Sequence, residues 1–224
     1  MKEILTNSTF FGVMISILAY ESGLVVKKRW KKGIFNPLLI SIVIVMGFLL
    51  LFDVDYEVYN NGAKYLSYLL TPATVCLAIP LYEQLELLKK YKNAVVAGIV
   101  SGVLTSLVSV LVMASIFELS HTEYVTLLPK SITTAIGMDV TKELGGIVAI
   151  TAAVIIITGV LGNIIAETVC RVCRLTEPIA RGIAIGSASH AVGTARAMEM
   201  GEIEGAMSSL SIAVAGLLTV VGAS

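Results

Sequence analysis

The chain has 224 residues, 56% of them hydrophobic and only 14% charged, and its mean hydropathy is +0.89. That balance excludes an ordinary soluble domain and identifies an integral membrane protein. Sixteen basic side chains offset sixteen acidic ones, so total charge gives no reason to expect nucleic acid as a partner, and the placement of the charges carries the information.

Lys2 and Glu3 precede a long apolar run without a small-residue cleavage site, and the positive cluster follows that run, which reads as a retained span. Four early stretches are long enough to cross about 30 Å of hydrocarbon: Ser8 to Val26, Ile34 to Phe52, Ala63 to Leu85 and Asn93 to Phe117. The third contains Pro72 and Pro80 and is expected to be a broken helix. Leu144 to Thr168 and Ile203 to Gly222 are two further spans. Between the later spans lie two less apolar stretches, Tyr124 to Lys142 and Gly182 to Met200, carrying Lys130, Asp139, His190 and Arg196. Backbone that leaves the helix in lipid must be buried in protein or line a wet cavity, so these two stretches mark the expected substrate path.

Charge bias decides whether they cross. If both enter and leave on one face, Lys27, Lys28, Arg29, Lys31, Lys32, Lys89, Lys90, Lys92, Arg171, Arg174 and Arg181 all fall inside, with only Lys2 and Lys64 outside. Full crossing by the first stretch would move Arg171, Arg174 and Arg181 to the other face. Both termini are therefore expected outside the membrane.

A shift of 56 residues lays Ser131 to Gly162 on Ser187 to Leu218 with eight identities and no gap, including Ser131/Ser187, Gly137/Gly193 and Glu143/Glu199. Biased composition alone would supply about three. The expected fold is an all-α polytopic membrane protein of about six full spans plus two re-entrant helical hairpins in an inverted repeat, the plan of secondary transporters. It divides one membrane domain into scaffold spans over 1–62, a broken span and a packing span over 63–123, and hairpin-plus-span units over 124–179 and 180–224.

Lys130 follows Pro129 and precedes Ser131, Thr133 and Thr134, with Gly137 able to turn the chain. A fixed cation beside hydroxyls is an anion site; alternatively Lys130 snorkels to the interface and the hydroxyls bond their own backbone. His190 reads either as a proton acceptor or as the donor to a nearby carbonyl, and Arg196 either as a carboxylate clamp or as a local partner of Glu199. Asp139, Glu143 and Glu199 suit a coupling cation or the membrane interface. Gly98-x-x-x-Gly102 with Thr105, Ser106 and Ser109 reads as a helix-packing face. Cys170-x-x-Cys173 lacks the further ligands of a zinc site, and no nucleotide loop or nucleophile constellation appears, so neither an enzyme nor a cofactor is expected.

Three ordered segments, Leu70-Thr-Pro-Ala-Thr-Val-Cys-Leu-Ala-Ile-Pro-Leu-Tyr82, Leu128-Pro-Lys-Ser-Ile-Thr-Thr134 and Ser189-His-Ala-Val-Gly-Thr-Ala-Arg196, resemble the LrgB/CidB family of antiholin-like membrane proteins over nearly the whole chain. The resemblance implies two roles. Plastid members exchange glycolate and glycerate and bacterial members are tied to pyruvate, which implies a carrier of small monocarboxylates. The older naming implies a regulator of murein hydrolase export and autolysis acting with a smaller LrgA/CidA-like membrane protein. Family positions carried onto this chain are Thr71, Pro72, Thr74, Lys130, Ser131, Thr133, Thr134, His190, Gly193, Thr194 and Arg196. One departure is Ala135, where the family commonly has proline, which leaves the hairpin turn to Gly137. The expectation is an ion-coupled carrier of small organic anions in the lipid bilayer, working as a homo-oligomer.

Overall fold

The computed structural model describes residues 10–30, 35–76 and 78–223, and these hold twelve helices and no strand. They form two compact units, the first ending at Cys76 and the second beginning at Leu77.

The first unit contains α1 (Phe11–Trp30), α2 (Pro37–Leu51), α3 (Tyr56–Ser67) and α4 (Leu70–Cys76). Asn36 starts α2 by accepting from the amides of Leu38 and Leu39 at 2.8 and 3.3 Å, with Pro37 at the first helical position. α1 packs on α2 and α3, and Ser16 Oγ meets the Tyr59 hydroxyl at 2.8 Å.

The second unit opens with α5 (Ala78–Glu83) and α6 (Leu85–Lys90). The stretch expected as one broken span, Ala63 to Leu85, is thus divided among several short helices. Pro72 and Pro80 each lie in the first turn of their own helix, where a missing N–H leaves no bond unmade, so they begin helices and do not kink a long one.

α7 (Lys92–Ile116), α8 (His121–Leu127), α9 (Thr134–Glu143), α10 (Val148–Val172), α11 (Pro178–Met200) and α12 (Glu202–Ala223) complete the unit. Helices α7, α10 and α12 are long and apolar enough to cross a membrane. Their outer faces expose Leu104, Val108, Ile157, Leu161 and Leu217, surface that suits lipid and would aggregate in water. The chain is a multi-pass helical membrane protein. α10 starts at Val148 and not at Leu144, because Leu144 to Ile147 is a turn with Gly145 at φ 79°. Apolar residues at both ends of that turn disguise it in the sequence.

α11 is bent back on itself. His190 has φ 41° and ψ −143°, a strained conformation for a non-glycine residue, and it separates an arm over 178–189 from an arm over 191–200. A Cβ on Gly193 would lie 3.3 Å from the Ile185 carbonyl, whereas residues eight apart in a straight helix are about 12 Å apart. The first arm runs parallel to α12, since Gly182 faces Met207 while Gly186 faces Ser208. The second arm runs antiparallel to it, since Thr194 bonds Ser208 and Met198 covers Gly205.

The segment from α8 to α9 is also interrupted, by a longer non-helical break at Leu128 to Thr133. Gly137 approaches Pro129 as Gly193 approaches Ile185, and Thr126 bonds Thr151 as Gly182 meets Met207, each pair displaced by 56 residues. The contacts between the two hairpin-plus-helix segments are nearly reciprocal. Ile136 of the first packs on Gly216 of the second, and Val192 of the second packs on Gly159 of the first. α10 passes Ser189 at Gly162 and, one turn on, joins Ile185 through Ala166. It therefore runs antiparallel to the first arm of α11 and to α12.

The turn expected at Gly137 lies earlier in the chain: Gly137 is inside α9, buried against Ile155, and the chain turns in the preceding non-helical residues.

Candidate functional site

A groove of about 990 Å³ runs along the second unit. Its walls are one face of α7, the α8–α9 break and the first arm of α11. α7 contributes Gly98, Ser101, Gly102, Thr105, Ser106 and Ser109, spaced three and one residues apart and therefore on one face. Lys130 and Ser131 come from the break, and Ala184, Ser187 and Ala188 from α11. Tyr91 at the start of α7 and Glu177 beside the start of α11 line the groove together, so the chain segments rich in Lys89, Lys90, Arg171 and Arg174 lead to the same end.

Small residues bring the walls together. A Cβ on Gly102 would sit 2.8 Å from Ser187 Oγ, and one on Gly98 would sit 3.2 Å from Ile183 Cγ2. Close backbone approach of this kind is how helices gain contact where lipid removes the usual hydrophobic drive.

At one end of the groove a polar cluster forms. Lys130 Nζ donates to Ser131 Oγ at 3.1 Å, and Ser106 Oγ donates to the same oxygen at 3.0 Å. Ser131 is buried, Lys130 half-buried, and among the described residues Lys130 has no carboxylate within ion-pairing distance. An ammonium half-withdrawn from solvent without a counter-ion is a fixed positive charge for an incoming anion.

The other expected site residues lie elsewhere. Thr133 precedes α9 without capping it through its side chain, and Thr134 begins that helix. His190 is buried, its Nε2–H donating to the Ile155 carbonyl at 2.9 Å. Gly193 is packed against the first arm of its own hairpin. Thr194 donates to the His190 carbonyl at 3.0 Å and lies 2.7 Å from Ser208 Oγ. These residues hold the bend of α11 behind the groove wall. Asn163, which the sequence did not single out, donates its amide to the Val192 carbonyl at 2.8 Å and satisfies the backbone just past the bend.

Arg196 bridges Glu167 at 2.6 Å and Glu199 at 2.5 Å, and does not line the groove. It ties the returning arm of α11 to α10. Replacing Glu167 with glutamine is expected to lower the unfolding free energy slightly, by no more than ~1 kcal/mol for so exposed a pair, and to leave anion binding unchanged. Calorimetry and binding titration check both halves. Pro72 is exposed on α4, while the side chains of Thr71 and Thr74 lie outside the described residues.

The α7 hydroxyls were read in the sequence as a packing face. Their density was the available signal: four hydroxyls within nine residues, Ser101 to Ser109, exceed what small-residue packing needs.

The model of the LrgB-like family matches residues 16–224. Curated relatives include proteins named "Antiholin-like protein LrgB" from Bacillus mycoides (strain KBAB4), Bacillus cereus (strain B4264) and Bacillus anthracis (strain CDC 684 / NRRL 3495). Each is 38% identical over 218 residues, covering 96% of this chain and 94% of the relative. No solved structure matches the chain.

Proposed function

The chain belongs to the LrgB-like family, and from that membership we propose that it acts as an antiholin-like membrane protein, restraining murein hydrolase export and autolysis with a smaller LrgA/CidA-like membrane partner. What supports this reading is a name shared by relatives that are 38% identical over 96% of the chain. The test is lysis of a bacterium deleted for its own relative, with and without this chain. Slower autolysis on complementation is expected, and an unchanged rate would refute the role.

A second reading concerns the molecular act, and a specific observation favours it. The groove that ends at Lys130 suits a secondary transporter of small monocarboxylates of the glycolate, glycerate or pyruvate class. A leak pathway has no need of a fixed charge held by a buried serine that a second serine orients. The antiparallel course of α10 and α12 and the near-reciprocal Ile136–Gly216 and Val192–Gly159 contacts support an inverted repeat with a two-fold axis in the membrane plane. The common end of the groove near Tyr91 and Glu177 supports an inward-facing basic end, with both termini outside and the two bent segments re-entrant.

The substrate carboxylate belongs at Lys130 and Ser131 in this reading, because the Arg196 guanidinium already holds two carboxylates. His190 remains the candidate proton carrier, which requires its bond to Ile155 to open. Uptake of labelled glycolate, glycerate and pyruvate into proteoliposomes, under imposed pH and sodium gradients, tests the carrier. Saturable, gradient-driven flux is expected; its absence rejects transport and leaves the lysis role standing.

A further inference from the structure

We propose, resting on the carrier reading, that Glu204 of α12, rather than His190, binds the coupling proton, and that Arg181 of α11 is the cation this proton releases for the passing anion. Glu204 is only 6% exposed, at the head of a helix long and apolar enough to cross a membrane. An acid withdrawn so far is costly and belongs on an ion path by default. It is the third residue of α12, and its carboxylate folds back over Gly201. One carboxylate oxygen lies 3.8 Å from Arg181 Nη1, close enough for charge pairing and too far for a hydrogen bond. The exposed Arg196–Glu167 pair, by contrast, closes to 2.6 Å.

Among the described residues Arg181 is the one ion-pairing partner of Glu204. The end of α10 brings Cys170 and Glu167 to this region, α5 and α7 carry Glu83 and Lys92, and Glu202 lies two residues back on the same helix. Glu167, Glu83, Lys92 and Glu202 are exposed, and Cys170 is a buried thiol. α9 joins α12 at Gly216, about three turns further on. His190 is tied to the Ile155 carbonyl and has no ion-pair partner to release among the described residues.

The pair underlies the end of the groove near Tyr91. Arg181 Nε donates to the Leu175 carbonyl at 2.7 Å, and both Leu175 and Ile203, the neighbour of Glu204, line that groove. A Cβ on Gly182 would lie 2.5 Å from the Glu204 carbonyl oxygen, so the helices carrying the pair approach through their backbones. With Glu204 ionised, the two charges cancel. With Glu204 protonated, Arg181 keeps its charge and loses its counter-ion beside the path an anion takes. Anion and proton therefore favour each other's binding, and the two enter together.

The test uses the full chain in proteoliposomes with labelled pyruvate and glycolate, in two arms: accumulation driven by an inward proton gradient, and exchange against the same internal anion without a gradient. Glu204→Gln keeps the fold-back, since glutamine serves at the third helical position as glutamate does, and should lose accumulation while exchange continues. Glu204→Asp, which keeps a titratable group, should recover accumulation. Ser115→Ala, whose hydroxyl bonds Leu111 on α7 away from the groove, is the control. The parent protein gives a measurement free of variants: a lipid-soluble carbodiimide, which adds to protonated carboxyl groups, should label Glu204 faster when pyruvate or glycolate is present.

Parental accumulation in Glu204→Gln overturns the proposal, and so does loss of exchange together with accumulation, which makes Glu204 a structural residue. Labelling that either anion leaves unchanged or slows overturns it even if Glu204→Gln does not assemble. Saturable exchange in the parent without proton-driven accumulation rejects the proton site and preserves the carrier. No saturable flux in the parent rejects the carrier and the proposal with it.

Discussion

Lys130→Gln is expected to weaken small-carboxylate binding and flux by about 10- to 150-fold, the range for losing a charge-assisted hydrogen bond of ~1.5–3 kcal/mol. Among the described residues the ammonium has a single side-chain partner, Ser131 at 3.1 Å, and no carboxylate offsets its charge. Glutamine is one atom shorter but keeps a donor and removes the charge, so most of the loss reads electrostatics rather than packing. Lys130→Arg should recover only part of the activity. A planar fork replaces a compact point charge that the break holds beside a buried serine, and the geometry of the two is not interchangeable. Flux in proteoliposomes gives the effect, and an unchanged melting profile in detergent shows that the hairpin still folds. Flux within twofold of the parent would remove Lys130 from the site. If flux is lost while complementation of autolysis persists, the two proposed roles are separate properties of one protein.

Lys130 stands out in the sequence because a lysine after a proline, among hydroxyls, is costly at membrane depth, with snorkelling to the interface as the alternative. The second break is expected within Gly182 to Met200 without a position; the structure puts it at His190, which the 56-residue shift aligns with Thr134, where α9 begins. What the sequence left open was which polar residues face a cavity. His190, Thr194 and Asn163 spend their polar groups on the backbone freed by the bend. A single sequence does not distinguish that duty from ligand binding. Thr105, Ser106 and Ser109 belong to a face expected to pack helices, and Gly98 and Gly102 of that face do pack on Ile183 and Ser187; the same face also lines the groove, because packing and lining have the same period. Gly137 misled because glycine permits both a turn and a close helix contact; here Ile155 occupies the space a side chain would need. Arg196 is expected from the sequence as a substrate-carboxylate clamp, with Glu199 as the alternative partner; the structure pairs it with Glu199 and also with Glu167, which is far away in sequence.

Gly162→Val is expected to have the largest effect on stability, roughly 3–5 kcal/mol, enough to cause aggregation on extraction. α10 carries a notch at Gly159 and Gly162 into which the bend of α11 fits. A Cβ at 162 would collide with the Ser189 side chain, and one at 159 would lie 2.6 Å from His190 Cε1. Ser189 has little room to retreat, because His190 is bonded to the Ile155 carbonyl at 2.9 Å and Val192 to Asn163 at 2.8 Å. Displacing the bend therefore adds unpaired buried groups to the steric penalty, about 1–3 kcal/mol for each one exposed. With total stability of ~5–15 kcal/mol for a typical domain, such a loss is decisive. Gly47→Val, at a position with nothing within 4 Å of the new Cβ, should be neutral and controls for adding a branched side chain to a helix. Asn163→Ala should be intermediate, since it removes one bond and adds no bulk. Size-exclusion profiles and thermal melts in detergent rank the three. A monodisperse Gly162→Val protein with a parental melting midpoint would mean that the bend does not rest in the notch. The expected order instead makes the second hairpin a fixed wall, against which the charged break of the first presents its lysine.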